Sequence, residues 1–161
     1  MNLLERLLER VGETPDATAM ISQSGERVSF ADLERRSAGL AALLLERGVQ
    51  RGDAVLVLVP MSVELYVTLA AVFQLGAVVM ILDPAAGLAH IGRCCALNPP
   101  KALVGVPLAH LLGLLSPSVR RIPIRLCARG WFPGTIPLSA ATRLKGRAGL
   151  ESLSPDAPAL L

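Results

Sequence analysis

His90 and Cys94 stand four residues apart, a spacing that puts an imidazole and a thiol on one face of a helix, and both groups can ligate a metal. A metal centre needs more donors than these two, and the nearest other histidine is His110, so the pair alone does not define one. Asp83 closes an apolar run of strand length, where open α/β sheets often bind ligands, but Asp83-Pro84 reads more simply as a strand-ending turn. The lysines are Lys101 and Lys145, and neither follows a GxxxxGK(S/T) phosphate loop. The stretch Leu144-Lys145-Gly146-Arg147-Ala148-Gly149 could touch an anion, yet its simpler reading is a solvated basic loop. The sequence contains no GxGxxG dinucleotide fingerprint and no GxSxG nucleophile elbow. The residues therefore assign no catalytic, cofactor-binding or metal-binding position.

Composition narrows the classes further. A chain of 161 residues is long enough to bury a core as one domain. It is 52% hydrophobic and 18% charged, with a mean hydropathy of +0.52. That is more apolar than a free-standing soluble domain usually is, and it implies surface that something else covers. The net charge of +3 is spread over single basic residues or pairs such as Arg35-Arg36 and Arg120-Arg121, and aromatics make up only 3%. Without a basic stripe or a stacking platform, nucleic-acid binding is not expected. Cys94, Cys95 and Cys127 have no CxxC spacing, which favours reduced thiols in the cytosol. A vicinal Cys94–Cys95 disulfide would strain the backbone between the two.

These residues must be positioned by elements whose periodicity is readable. Leucines interleaved with acids and bases over the first ten residues predict an amphipathic helix rather than a secretion signal. Leu3, Leu4, Leu7 and Leu8, like Leu111, Leu112, Leu114 and Leu115, are expected to pack on the core or on a missing neighbour. Ala17 to Ile21 and Arg27-Val28 read as a hairpin around Ser22-Gln23-Ser24-Gly25. Ser29 and Asp32 resemble a capping box for a helix ending at Gly48. Ala54 to Val59 is a continuous apolar run of the kind that has both sheet faces covered.

A helix from about Ser62 to Leu75, closed by Gly76, then leads to a strand at Ala77 to Leu82, which completes a βαβ unit. This punctuation argues against a transmembrane span over the uncharged stretch Leu65 to Leu82. A helix over roughly Ala86 to Leu97 and a strand at Ala102 to Gly105 repeat the step. Pro107 opens a short helix through Leu115, and Ile122 to Leu126 is a further strand, with Pro123 suggesting an edge or an irregular start. Beyond Cys127 the crowding of Gly130, Pro133, Gly134 and Pro137 reads as loop.

Several of these segments also carry a likeness. Val28-Ser29-Phe30-Ala31-Asp32-Leu33, Leu45-Glu46-Arg47-Gly48-Val49 and Arg51-Gly52-Asp53-Ala54-Val55 follow one another in an order that resembles the opening of the adenylate-forming superfamily. Its members include acyl-CoA synthetases, peptide-synthetase adenylation domains and luciferases. Val59-Pro60-Met61-Ser62-Val63-Glu64-Leu65, then Ala70-Ala71-Val72-Phe73-Gln74-Leu75-Gly76-Ala77 and Leu82-Asp83-Pro84, look like the next signatures of that family. Met61 is a departure, since the family usually carries a polar residue there, often Asn. Ala89 to Ala96 and Pro107 to Leu112 look more like the branch that includes olefin-biosynthesis β-lactone synthetases and fatty-acid ligases. Ser154 to Leu161 looks like the segment leading into the family's phosphate-binding loop.

The resemblance implies an α/β fold: a partial, mostly parallel sheet with helices on both faces, preceded by a small helix and hairpin. Residues 1–126 would be an incomplete N-terminal subdomain of an AMP-binding synthetase, and 127–161 a loop leading toward the phosphate-binding loop. The family uses ATP and Mg to convert a carboxylic acid to an acyl-adenylate, with the catalytic groups downstream of the segment matched here. It follows that this chain alone is inactive and needs no cofactor. Its partners would be a complementary synthetase chain or a second copy, with no nucleic acid and no transmembrane span. One chain of a split synthetase and a non-enzymatic interaction module are the alternatives. Cytoplasmic localisation is expected.

Overall fold

The computed structural model describes residues 3–143. Strands β3 (Ala54–Leu58), β4 (Val78–Ile81), β5 (Ala102–Gly105), β6 (Ile124–Cys127) and β7 (Ile136–Pro137) form one sheet in the spatial order β4-β3-β5-β6-β7. Every pairing in it is parallel. The short strands β1 (Thr18–Ile21) and β2 (Arg27–Ser29) form a separate antiparallel hairpin. Among the described residues six α-helices complete the fold: α1 (Leu3–Glu13), α2 (Phe30–Glu46), α3 (Val63–Gln74), α4 (Leu88–Leu97), α5 (Pro107–Gly113) and α6 (Pro117–Arg120).

The apolar strand runs are explained by burial on both sides. Successive strand residues point to opposite faces, so Val55, Val57, Val79 and Val104 meet Leu40, Leu44, Val67 and Val72 of α2 and α3. Leu56, Leu58, Met80 and Leu103 face the other way, toward Ile91 and Cys95 of α4, Val119 of α6, and Ile122. Between α2 and α3 the apolar packing is interrupted by a satisfied polar pair. Buried Ser37 accepts from Gln74 Nε2 at 2.8 Å and donates to the Glu34 carbonyl at 2.9 Å.

Local signals set the element boundaries. Ser29 Oγ accepts from the Asp32 amide at 3.1 Å, which is half of a capping box. The Asp32 carboxylate turns to Arg35 instead of closing the other half, and that bond holds its pKa below the usual carboxylate value. Ser62 Oγ caps α3 through the Leu65 amide. The uncharged stretch Leu65 to Leu82 divides into α3 and β4, and among the described residues no helix is long and apolar enough to cross a membrane.

Three expectations from the sequence are corrected. Of the two readings of Pro123 the edge fails and the irregular start holds, because β6 begins just after it at Ile124 and is paired on both sides by β5 and β7. The helix opened by Pro107 ends at Gly113, and Pro117 starts a separate turn of helix, α6. Residues beyond Cys127 are not loop throughout. Ile136 and Pro137 add a strand beside Leu126 and Cys127, and the 3-10 segment Leu138–Arg143 brings Ala141, 4% exposed, into the core against α2. A two-residue strand has no period to read, and a proline is tolerated at the end of an edge strand.

Candidate functional site

The strand order places one crevice in the sheet. From β3 the chain steps to β4 on one side, then crosses to β5 on the other, so connections leaving β3 and β5 diverge to opposite faces. Ligands of open α/β sheets bind outside the carboxyl ends of the strands at such a switch point. Here α3 follows β3 onto one face, and α5 follows β5 onto the other. Backbone bonds tie the crevice floor: the Val106 amide donates to the Leu58 carbonyl at 3.3 Å, and the Ala128 amide to the Gly105 carbonyl at 2.8 Å. Gly105 lets the strand end pack closely there, since a Cβ would stand 3.2 Å from the Ala109 Cβ, a tight contact with the first turn of α5.

The rim of the crevice carries few polar groups. Tyr66 Oη donates to Met61 Sδ at 3.3 Å, and Met61 is itself 68% exposed. Glu64, in the first turn of α3, pairs with Arg129 beyond β6 at 3.3 Å and so links the two sides of the switch point. Trp131, two residues on, is 68% exposed. Below the rim on the α4–α6 face, an apolar cavity of about 140 Å³ opens between Leu58, Leu88, Ile91, Leu112 and Val119.

His110 supports this region from inside. Its ring is wholly buried, Nε2 lies 2.9 Å from the Leu126 carbonyl, and the ring stacks on Phe132 with centroids 5.7 Å apart. Nδ1 is buried without a hydrogen-bond partner. Burial, with a smaller contribution from the charge of Arg125, lowers the imidazole pKa below its ordinary value. Arg125 itself donates to the carbonyls of Val119 at 3.2 Å and Arg120 at 2.6 Å, satisfying the C-terminal end of α6. Sequence reasoning did not single out these roles. A histidine inside a leucine-rich helix was the available signal, and its partners lie sixteen and more residues away.

The sequence candidates fall apart in space. His90 and Cys94 do meet on α4, with Nε2 3.6 Å from Sγ. His110 is in a different, buried environment, and among the described residues no three His, Cys, Asp or Glu are placed to hold a metal. Asp83 is exposed, and its Oδ1 accepts from the Ala85 amide at 2.9 Å, which is the turn role. All three cysteines are free; Cys95 and Cys127 are buried, while Cys94 is only partly so. Leu7 packs on the larger core, whereas Leu111, Leu112, Leu114 and Leu115 all lie at the surface. Lys145, the Leu144–Gly149 stretch and Ser154–Leu161 lie outside the described residues.

Comparison with known proteins accounts for this arrangement. The family model for AMP-binding enzyme matches residues 7–159. The chain is 31% identical over 163 residues to the olefin beta-lactone synthetase of Stenotrophomonas maltophilia, a match covering 92% of this chain and 29% of that protein. It is 29% identical over 124 residues to the medium/long-chain-fatty-acid–[acyl-carrier-protein] ligase FadD10 of Mycobacterium tuberculosis, covering 76% of this chain and 23% of that one. Among solved structures, apo MatB from Rhodopseudomonas palustris superimposes with a TM-score of 0.80 at 24% identity, over 99% of this chain and 31% of that one. The N-terminal subdomain of Klebsiella oxytoca NpsA does so with a TM-score of 0.71 at 20% identity, over 98% and 36%. The chain thus spans less than a third of the length of the two curated relatives. With its signatures, its parallel sheet and the match over nearly its whole length, the chain belongs to the AMP-binding enzyme family.

Proposed function

We propose that this chain supplies the N-terminal subdomain of an AMP-forming acyl-acid ligase and does not activate an acid by itself. The observation that carries the reading is the switch-point crevice, set in a sheet that superimposes on MatB over 99% of the chain but only 31% of MatB. Activation of a carboxylate by ATP depends on positioning the phosphates and neutralising their charge. At this crevice Glu64 is already paired with Arg129, and Ser62 is used as a helix cap. These groups fit a wall of a site better than its catalytic centre. ATP and Mg would be held mainly by the remainder of such an enzyme.

In our reading the body of this subdomain runs past residue 126, since β7 joins the sheet and Leu138–Arg143 packs on the core. The partner is the complementary part of a synthetase, which would cover the exposed leucines of α5 and the turn after it. Leu108, Leu111 and Leu115 are 62%, 54% and 73% exposed, which favours a covered rather than a solvated face. The free thiols accord with a cytoplasmic setting. The test is acid-dependent pyrophosphate release by the purified chain, alone and with the complementary part of an olefin beta-lactone synthetase added in trans. No release is expected from the chain alone. Release that depends on acid and ATP, but on no second chain, would overturn the proposal.

A further inference from the structure

The proposed function makes no use of the His90–Cys94 pair. His90 is exposed on α4, Cys94 is half-buried, and the 3.6 Å between Nε2 and Sγ is within reach of a sulfur hydrogen bond. A nucleophile with a base in reach is the arrangement that activates a thiol. The other two cysteines have neither access nor such a base. Cys95 is 2% exposed, and burial, together with the neighbouring Cys94, pushes its thiol up to about 11. Cys127 is 1% exposed and donates to the Arg129 carbonyl at 3.3 Å. Around Cys94, by contrast, Arg93, Ala96 and Leu97 are all exposed, so a reagent can approach along the outer face of α4.

We propose that Cys94 is a site of reversible thiol modification, with His90 as its base and a small anionic disulfide of the oxidised-glutathione class as the reagent. The Cys94 thiol gives its proton to His90 Nε2, and the thiolate attacks one sulfur of the disulfide. The S–S bond of the reagent breaks as the new one forms. The leaving thiolate takes the proton back from the imidazolium, so thiol plus disulfide gives mixed disulfide plus thiol. Arg93, exposed and adjacent in sequence, supplies the positive charge that attracts an anionic reagent. Cys95 does not resolve the adduct, because it points into the core and adjacent helical residues cannot reach disulfide geometry without backbone distortion. The adduct therefore persists until an external thiol removes it.

The experiment treats the full chain with oxidised glutathione near neutral pH and follows modification by peptide mass spectrometry. A single adduct at Cys94, reversed by excess reduced thiol and absent from Cys94→Ser, is expected. His90→Gln, with an unchanged far-ultraviolet circular dichroism spectrum, should slow modification roughly tenfold. Arg93→Gln should slow the reaction with oxidised glutathione but not with an uncharged disulfide. No adduct at Cys94, equal modification of Cys95 or Cys127, or an unchanged rate in His90→Gln would overturn the site. An Arg93→Gln variant that treats both disulfides alike would overturn the anionic preference. None of these readouts depends on adenylation, so they stand or fall apart from the proposed ligase role.

Discussion

A buried imidazole with only one satisfied nitrogen makes His110 sensitive to protons. Its folded-state pKa lies below the ordinary value, chiefly through burial, so the native protein takes up a proton less readily than the unfolded chain. The stabilisation from the neutral ring is complete above the unfolded pKa of about 6.5 and is lost as pH falls through that value toward the folded pKa. Urea midpoints should therefore fall between about pH 7.5 and about pH 5.5. His110→Gln should narrow the difference, and an equal fall in that variant would assign the effect to other groups.

The two ends of α2 give simpler tests. Ser29→Ala removes the acceptor for the Asp32 amide at 3.1 Å and should cost about 1 kcal/mol in a denaturant titration. Gly48, which closes α2, has φ +94° and open space where a Cβ would lie. Gly48→Ala should thus lose about 1 kcal/mol or somewhat more through backbone conformation alone, with no clash to relieve.

At the scale of elements, the strongest prediction concerns the centre of the sheet. Leu56 and Leu103 are partners in the β3–β5 register, both wholly buried on the α4 face. Leu56→Ala and Leu103→Ala should each cost about 2–5 kcal/mol, read from urea unfolding. The two residues are neighbours, so the double variant should depart from the sum of the single ones.

These central strands were legible because continuous apolar runs closed by proline or glycine leave few alternatives. The helix from Ser62 to Leu75 was likewise placed to within a residue at each end, since Ser62 is its N-cap and Leu75 its C-cap. What the sequence withheld was set by long-range pairing. β7 exists because Leu126 and Cys127 present a free edge to it, and nothing in Ile136-Pro137 itself specifies a strand. At the crevice, Ser62 and Glu64 lay within a recognised signature, but the reach of Glu64 to Arg129 passes from the end of β3 to beyond β6 and has no local signal.

For the whole molecule, the apolar composition is resolved into a place. Leu108, Leu111, Leu112, Leu114 and Leu115 are exposed together along α5 and the following turn. The isolated chain should self-associate through this surface, giving a weight-average mass in sedimentation velocity that rises with concentration. Leu111→Glu combined with Leu115→Glu should return it toward the monomer. A wild-type chain that stays monomeric on concentration would show that the leucines are tolerated in water.

The strand order also bears on how the molecule is built in time. β3 is the first strand of the main sheet to leave the ribosome, yet it occupies an interior position between β4 and β5. Its β4 neighbour arrives after a single helix, whereas its other side must wait for β5, some twenty residues later still. During synthesis the nascent unit of β3, α3 and β4 therefore presents an open, wholly apolar strand edge, the kind of surface that aggregates or recruits a chaperone. Pulsed hydrogen exchange during refolding should find the β3 and β4 amides protected before those of β6 and β7.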